Sequence, residues 1–140
     1  MSISELVAAD TFVYAKLTAA PALCSSRVYA AEAPQGATPP YVVYALMGGF
    51  DDLTEVGARR VWANLLYLVK VVGQGTSFTA LDATVAEIDT RLHRSSGPVS
   101  TTAYVDSCIR EQPFRMVETT PSGVAYRHAG GLYRLAVRLL

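Results

Sequence analysis

Two stretches of the chain alternate between faces with the two-residue period of a β-strand. One lies at positions 60–72 and the other begins at Gly131. The residues that share one face are Val61, Ala63, Leu65, Tyr67, Val69 and Val71 in the first stretch, and Tyr133, Leu135, Val137 and Leu139 in the second. Because Trp62, Leu66 and Leu68 make the opposite face of the first stretch apolar as well, we expect a central strand covered on both sides. The second stretch predicts a structural strand.

Two other stretches repeat apolar residues at helical spacing. Their apolar positions are Leu6, Ala9, Val13, Leu17 and Ala20 before Pro21, and Leu81, Val85, Ile88 and Leu92. Ser2 and Glu5 have the spacing of a capping box, which predicts that the first helix begins at once. Thr79 is the predicted cap of the second helix.

Shorter apolar runs predict the remaining strands. They lie at positions 27–31, 41–47, 99–109 and 114–119, with a bulge or bend expected near Gln112 and Pro113. We expect an irregular loop at 32–40 and, after Gly48 and Gly49, an exposed acidic loop at 50–60. The order of elements predicts one domain over residues 1–140. Its fold class is α+β, with a mixed, mostly antiparallel β-sheet and two main helices packed on one side.

Composition favours contact with proteins over contact with nucleic acid or membranes. The 140 residues are 51% hydrophobic and 17% charged, and the formal net charge is zero. Without a basic excess we expect no specific nucleic-acid partner, although eight tyrosines and several arginines would suit either kind of surface. No apolar run is long enough to span a bilayer, so no membrane partner is expected. The first residues lack the pattern of a secretory signal, and we expect folding in the cytoplasm.

The sequence contains no recognisable catalytic or cofactor-binding motif. Gly73 and Gly75 lack the third glycine of a dinucleotide fingerprint, and Cys24 and Cys108 form no metal or redox pair. We therefore expect no enzyme, no catalytic residue, no cofactor and no metal. A small enzyme of unknown reaction stays open as an alternative, because triads assembled from distant positions leave no local signature. A small-ligand or regulatory module is a further alternative.

The candidate site residues are therefore residues of a protein interface. The acidic loop supplies three of them, for which a solvated loop is favoured over a cation site. The others are an arginine and a histidine expected at the surface, and an arginine of the final strand. The six residues are Asp51, Asp52, Glu55, Arg127, His128 and Arg134.

Several motifs, in this order of elements, complete the sequence pattern. They are Arg-Val-Tyr at 27–29, Pro-Pro-Tyr-Val-Val-Tyr at 39–44, the apolar strand at 60–69, Ile-Asp-Thr-Arg-Leu at 88–92 and the strand at 126–137. Together they resemble the small tail-terminator, or tail-completion, proteins of long-tailed bacteriophages and of prophage-like, gene-transfer particles. The resemblance covers nearly the full chain.

The resemblance implies a virion structural protein of the tail or neck, assembled in the bacterial host cytoplasm. Such a protein forms a ring, typically hexameric, at the head-proximal end of the tail tube, where it ends tube polymerisation and joins tail to head. The implied partners are copies of itself, the tail tube protein and a head–tail connector or stopper protein. Another neck or head-completion protein is the neighbouring alternative.

Overall fold

The two strongest alternating stretches form the centre of a single six-stranded sheet. The computed structural model describes residues 4–53, 60–75 and 77–140, with the side chains of 52, 53, 60 and 61 left out. The elements are α1 (Glu5–Thr18), a 3₁₀ turn (Cys24–Ser26), β1 (Val28–Ala30), β2 (Tyr41–Leu53), β3 (Arg60–Gln74), α2 (Thr79–Leu92), β4 (Gly97–Ser100), β5 (Ala103–Thr119) and β6 (Ala125–Leu139). The strand order is β1-β2-β3-β6-β5-β4.

All neighbouring strands are antiparallel except β1 and β2, which are parallel. Both helices lie on the same face of this sheet. Tyr67 of β3 and Tyr133 of β6 are cross-strand partners, and their hydroxyls donate to Asp10 of α1 and Asp89 of α2. This confirms the predicted α+β class, with a mostly antiparallel sheet and two helices on one side.

The core fills the space between the helices and the sheet. Its members alternate along β3 and β6 as predicted and include the apolar side of each helix, among them Phe12, Val13, Leu17, Leu65, Val69, Val71, Ile88, Leu92, Leu135 and Val137. Burial and the hydrogen bonds to Asp10 and Asp89 both raise the pKa of the hydroxyls of Tyr67 and Tyr133. Each tyrosine therefore buries a large ring while its hydroxyl keeps a partner.

The start of each helix differs from the prediction. The N-cap of α1 is Ser4, whose hydroxyl accepts a hydrogen bond from the backbone N–H of Val7 at 3.2 Å. The predicted capping residue, Ser2, lies outside the described residues. Thr79 is the first residue of α2 and not its cap, and its backbone N–H donates a hydrogen bond to the hydroxyl of Ser77. In both cases a nearby serine satisfies a free helix N–H.

Two strand boundaries were also predicted wrongly. Strand β2 does not end at Gly48 but continues through a bulge to Leu53. A Cβ on Gly49 would lie 2.2 Å from the carbonyl oxygen of Asn64, so this glycine permits close pairing with β3. The apolar run at 99–109 is divided between β4 and β5, whereas the irregularity predicted near Gln112 is a bulge within the continuous β5.

Candidate interface on the open face of the sheet

The face of the sheet opposite the helices carries a partly exposed apolar surface. No helix or strand in the described parts of the chain packs against it, which corrects the expectation that β3 is covered on both sides. We call this surface the open face. Its apolar and basic members are Ala45 and Phe50 of β2, Trp62, Leu66, Leu68 and Lys70 of β3, Ile109, Phe114 and Met116 of β5, and Leu132, Arg134, Ala136 and Arg138 of β6. Its neutral polar members include Asn64, Ser107 and Gln112, and Val43 is buried at one end.

Strand register arranges these side chains in rows across four strands. One row runs from Ala45 through Leu68 and Leu132, and another joins Leu66, Arg134 and Ile109. Phe50 is 56% exposed, whereas Ile109 and Met116 are each 40% exposed. Exposed apolar residues that are contiguous in this way are typical of a surface that contacts a partner.

Two bulges of β5 supply the acidic partners of the open-face arginines. The register shifts between Val105 and Ser107, and again between Arg110 and Gln112. The residues inserted there, Asp106 and Glu111, have their carboxylates on the open face. A bulge changes the direction of a strand side chain, which explains why strict alternation does not predict these contacts.

Both pairs are bidentate. Arg138 donates to the two carboxylate oxygens of Asp106 at 3.0 and 3.1 Å, and Arg134 donates to those of Glu111 at 3.2 and 3.0 Å. Trp62 adds an indole N–H to Asp106. The hydrogen bonds from Arg138 are the main reason that the pKa of Asp106 is lowered. Fork-to-fork pairs of this kind fix geometry as well as charge.

Each cation of the open face also lies over an aromatic ring. Arg134 is 5.3 Å from the ring centre of Phe50, and Arg138 is 5.5 Å from that of Tyr104. The ammonium of Lys70 is 6.0 Å from the ring of Phe114. The face of an aromatic ring attracts a cation, so these contacts hold the three positive charges against apolar side chains.

His128 lies on the same side of the sheet but is buried within the subunit. It pairs with Val72 and Met116, and its side chain is 9% exposed. Among the described residues, neither ring nitrogen has a hydrogen-bond partner. The nearest acid, Glu118, is 3.7 Å from Nε2, which is beyond hydrogen-bond distance. Burial, followed by the nearby charge of Lys70, lowers the pKa of His128. The expectation of a surface position was wrong.

The six predicted interface residues do not form one cluster. Arg134 is on the open face, whereas Arg127 is on the helix side, where it donates to the carbonyl of Gly75 and lies 5.1 Å from the ring centre of Phe78. Asp51 is exposed near the opposite end of β3, in register with Ala63.

Asp52 lies in β2, where its backbone pairs with Trp62 of β3, and Glu55 lies outside the described residues. Asp51 and Arg127 are separated by ten residues of strand, because their partners on β3 are Ala63 and Gly73. Ten strand residues span about 33 Å. Their roles in an interface stay predictions, and sequence reasoning missed Phe50, Trp62, Asp106 and Glu111.

The clefts of the molecule offer no arrangement with obvious chemistry. A cleft of about 440 Å³ lies between α2 and the β5–β6 hairpin, lined by Asp82, Arg110 and Arg115 among others. Arg115 contacts Asp82 at 3.5 Å, and Arg110 contacts Asp89 at 3.6 Å. Among the described residues, no three His, Cys, Asp or Glu side chains are placed to hold a metal ion.

The two cysteines are free thiols. Burial raises the pKa of Cys108 to about 12, and it also raises the pKa of the half-buried Cys24. Both shifts disfavour the thiolate, which is the nucleophilic form. In the described part of the chain, no helix is long and apolar enough to cross a membrane.

Comparison with known proteins identifies a shared fold. No family model and no curated protein matches the chain. Among solved structures, one chain of "Virion of native gene transfer agent (GTA) particle" matches with a TM-score of 0.72 and 19% sequence identity. The match covers 98% of this chain and 99% of that chain. The two chains therefore have the same fold from end to end.

Proposed function

We propose that this protein is a virion structural protein. The observation that carries the proposal is the match with a chain of a gene transfer agent virion, which covers 98% of this chain and 99% of that chain. Fold likeness alone is compatible with many functions. The sequence motifs described above resemble phage tail-terminator proteins and independently support the same class of particle.

Within that class, we propose a ring subunit at the head-proximal end of the tail tube. The ring ends tube polymerisation and joins the tail to the head through a connector or stopper protein. Closed rings use heterologous contacts, in which two different surfaces of each subunit meet. The open face supports this arrangement, since it presents an apolar surface of Leu66, Leu68 and Leu132 that the subunit's own helices do not cover.

The protein acts in this proposal by shape and contact, without covalent chemistry. The arginines of the open face are held by Asp106 and Glu111, and both cysteine thiols are kept protonated by burial. Paired charges and inert thiols suit a surface that orients a partner. Arg134 thereby gains a role in shaping the contact surface.

Electron microscopy of particles made without this gene tests the proposal. We expect filled heads beside unattached tails of abnormal or variable length. Tails of correct length with leaky or unjoined heads would instead move the protein to the head side of the neck. Normal joined particles would refute both positions and revive the enzyme alternative. Re-expression of the intact gene is the control.

A further inference from the structure

Helix α1 is apolar on two sides. One side, which includes Ala9, Val13 and Leu17, is fully buried against the subunit's own sheet. The other side exposes Val7 by 50% and Tyr14 by 48%. Large apolar side chains on the solvent side of a helix are typical of a surface that contacts a partner. Within the described residues, α2 exposes no large apolar side chain, so this feature distinguishes the two helices.

The exposed side of α1 carries an uncharged stripe of side chains that can be buried at low cost. It consists of Val7, Thr11, Tyr14 and Thr18, which follow one another at spacings of four, three and four. The hydroxyls of Thr11 and Thr18 donate to the carbonyls of Val7 and Tyr14 at 2.8 and 2.7 Å. Burying a polar group is costly when it has no partner, and these two donors already have one. We call this stripe the outer face of α1.

The open face has the dimensions that the outer face of α1 requires. A 14-residue helix is about 21 Å long, and four strands spaced about 4.8 Å apart are about 19 Å wide. Five rows of side chains along the strands give the open face an area of roughly 600 Å². A standard interface buries about 800 Å² per partner, so the open face is large enough to hold the helix and the residues beside it.

The two arginines of the open face already have partners. Arg134 and Arg138 are held in bidentate pairs, and the stripe on α1 contains no charged residue. Burial would therefore leave neither arginine unpaired, which is the main cost of burying ionic groups. Lys70 is the remaining cation, and it lies at the end of the open face that is farther from Phe50. The two surfaces lie on opposite sides of the subunit, since α1 covers the other face of the same sheet.

We propose that the outer face of α1 docks on the open face of a neighbouring copy of this chain. The inference rests on the ring proposed above and names the two surfaces that make its contact. Tyr14 of one copy lies against the rows of the next that contain Leu66 and Phe50. Because the surfaces are different, the contact is heterologous and repeats from copy to copy.

Cysteine pairs test which surfaces meet. A chain carrying both Tyr14→Cys and Phe50→Cys is treated with a bis-maleimide crosslinker, as purified protein and in particles. We expect a ladder of covalent oligomers in at least one sample. Each single variant should stay monomeric after denaturation, and the unaltered chain controls for Cys24 and Cys108. Dimers from Phe50→Cys alone would overturn the proposal in favour of a two-fold, face-to-face contact.

Charge substitutions give an independent measure with a matched control. Phe50→Asp and Tyr14→Asp each place a carboxylate in the proposed contact, whereas Val117→Asp alters an equally exposed strand residue on the helix side. We expect the first two to raise the concentration needed for assembly by about tenfold or more, as loss of one central contact does. Val117→Asp should leave assembly unchanged, and circular dichroism checks folding.

The outcomes separate this inference from the function on which it rests. No ladder in either sample, with the protein present in particles, overturns the surface assignment and leaves the virion role standing. Normal particles without the gene, together with a ladder from purified protein, refute the virion role and keep the α1 contact. Equal effects of Phe50→Asp and Val117→Asp would also overturn the assignment.

Discussion

Arg91 of α2 binds the end of α1, and its removal should cost several kcal/mol of stability. Its guanidinium donates to the carbonyls of Lys16 and Leu17 at 3.2 Å and of Ala19 at 2.8 Å, and also to that of Pro21. The side chain is only 9% exposed. The carbonyls in the last turn of a helix lack partners within that helix, so Arg91 satisfies groups that would otherwise be buried alone.

The size of the effect follows from the burial of each contact. Hydrogen bonds to charged groups contribute about 1.5 kcal/mol at the low end of their range. The two partly buried bonds, to Lys16 and Leu17, therefore give about 3 kcal/mol. Water replaces the two exposed bonds, to Ala19 and Pro21, and we assign them nothing. Arg91→Met should lower the melting temperature by about 10 °C in a chain of this length.

Urea unfolding of three variants followed by circular dichroism measures this effect. Arg91→Met should lower the free energy of unfolding by about 3 kcal/mol, and Arg91→Lys should restore only part of the loss because ammonium lacks the guanidinium fork. Glu87→Gln is the control, since it removes the pair at 3.0 Å between Glu87 and Arg91 and leaves the carbonyl contacts. A loss below about 1 kcal/mol for Arg91→Met would refute the reasoning.

Three further predictions concern the sheet. Gly130→Ala would place a Cβ 2.0 Å from a backbone oxygen of β3 and should cost about 3 kcal/mol or more in urea unfolding. Gly131→Ala would place a Cβ 3.0 Å from the flexible side chain of Arg110 and 3.3 Å from the carbonyl oxygen of Gln112, and it should cost clearly less; equal losses would contradict this. Burial lowers the pKa of His128, so the unfolded chain binds more protons, and the free energy of unfolding should fall as the pH drops below about 6.5. His128→Gln should make the free energy of unfolding depend less on pH between about pH 7.5 and 5.5. An unchanged slope would argue against this role of His128. The pKa of Asp106 is lowered in the folded chain, so its contribution to the free energy of unfolding is present at neutral pH and lost in acid. Asp106→Asn should therefore lower the free energy of unfolding by about 1 kcal/mol at pH 7 and by much less near pH 3. A loss of stability that does not depend on pH would exclude the ion pair as its cause.

The faces of the strands could be predicted, because they depend only on the local alternation of apolar and polar residues. Alternation along β3 and β6 correctly identified Tyr67 and Tyr133 as buried, because the side-chain period of a strand fixes its faces whatever the sheet order. The same alternation could not say whether the second face has a cover. Leu66 and Leu68 are apolar and yet only half-buried. An apolar surface that contacts a partner has the same sequence pattern as a core.

Features that depend on pairing between distant strands escaped prediction. Gly48 and Gly49 are typical of a turn, but here both lie in β2, and at Gly49 the backbone of β3 approaches closely. Asp106 and Glu111 contact arginines of β6 only because bulges insert them, and a bulge depends on the partner's register. His128 was expected at the surface but is buried. Its burial depends on neighbours from other strands, which the local sequence does not show.

The position of β6 has a consequence for how a newly made subunit folds. This strand is the last in chain order, yet it lies between β3 and β5 at the middle of the sheet. Before it is synthesised, β1, β2 and β3 cannot join β4 and β5. Closing such long-range pairs is slow, and incomplete chains expose unpaired edges. The six-stranded sheet therefore cannot be completed before residue 139 has been synthesised, and a subunit truncated within β6 would lack part of the open face.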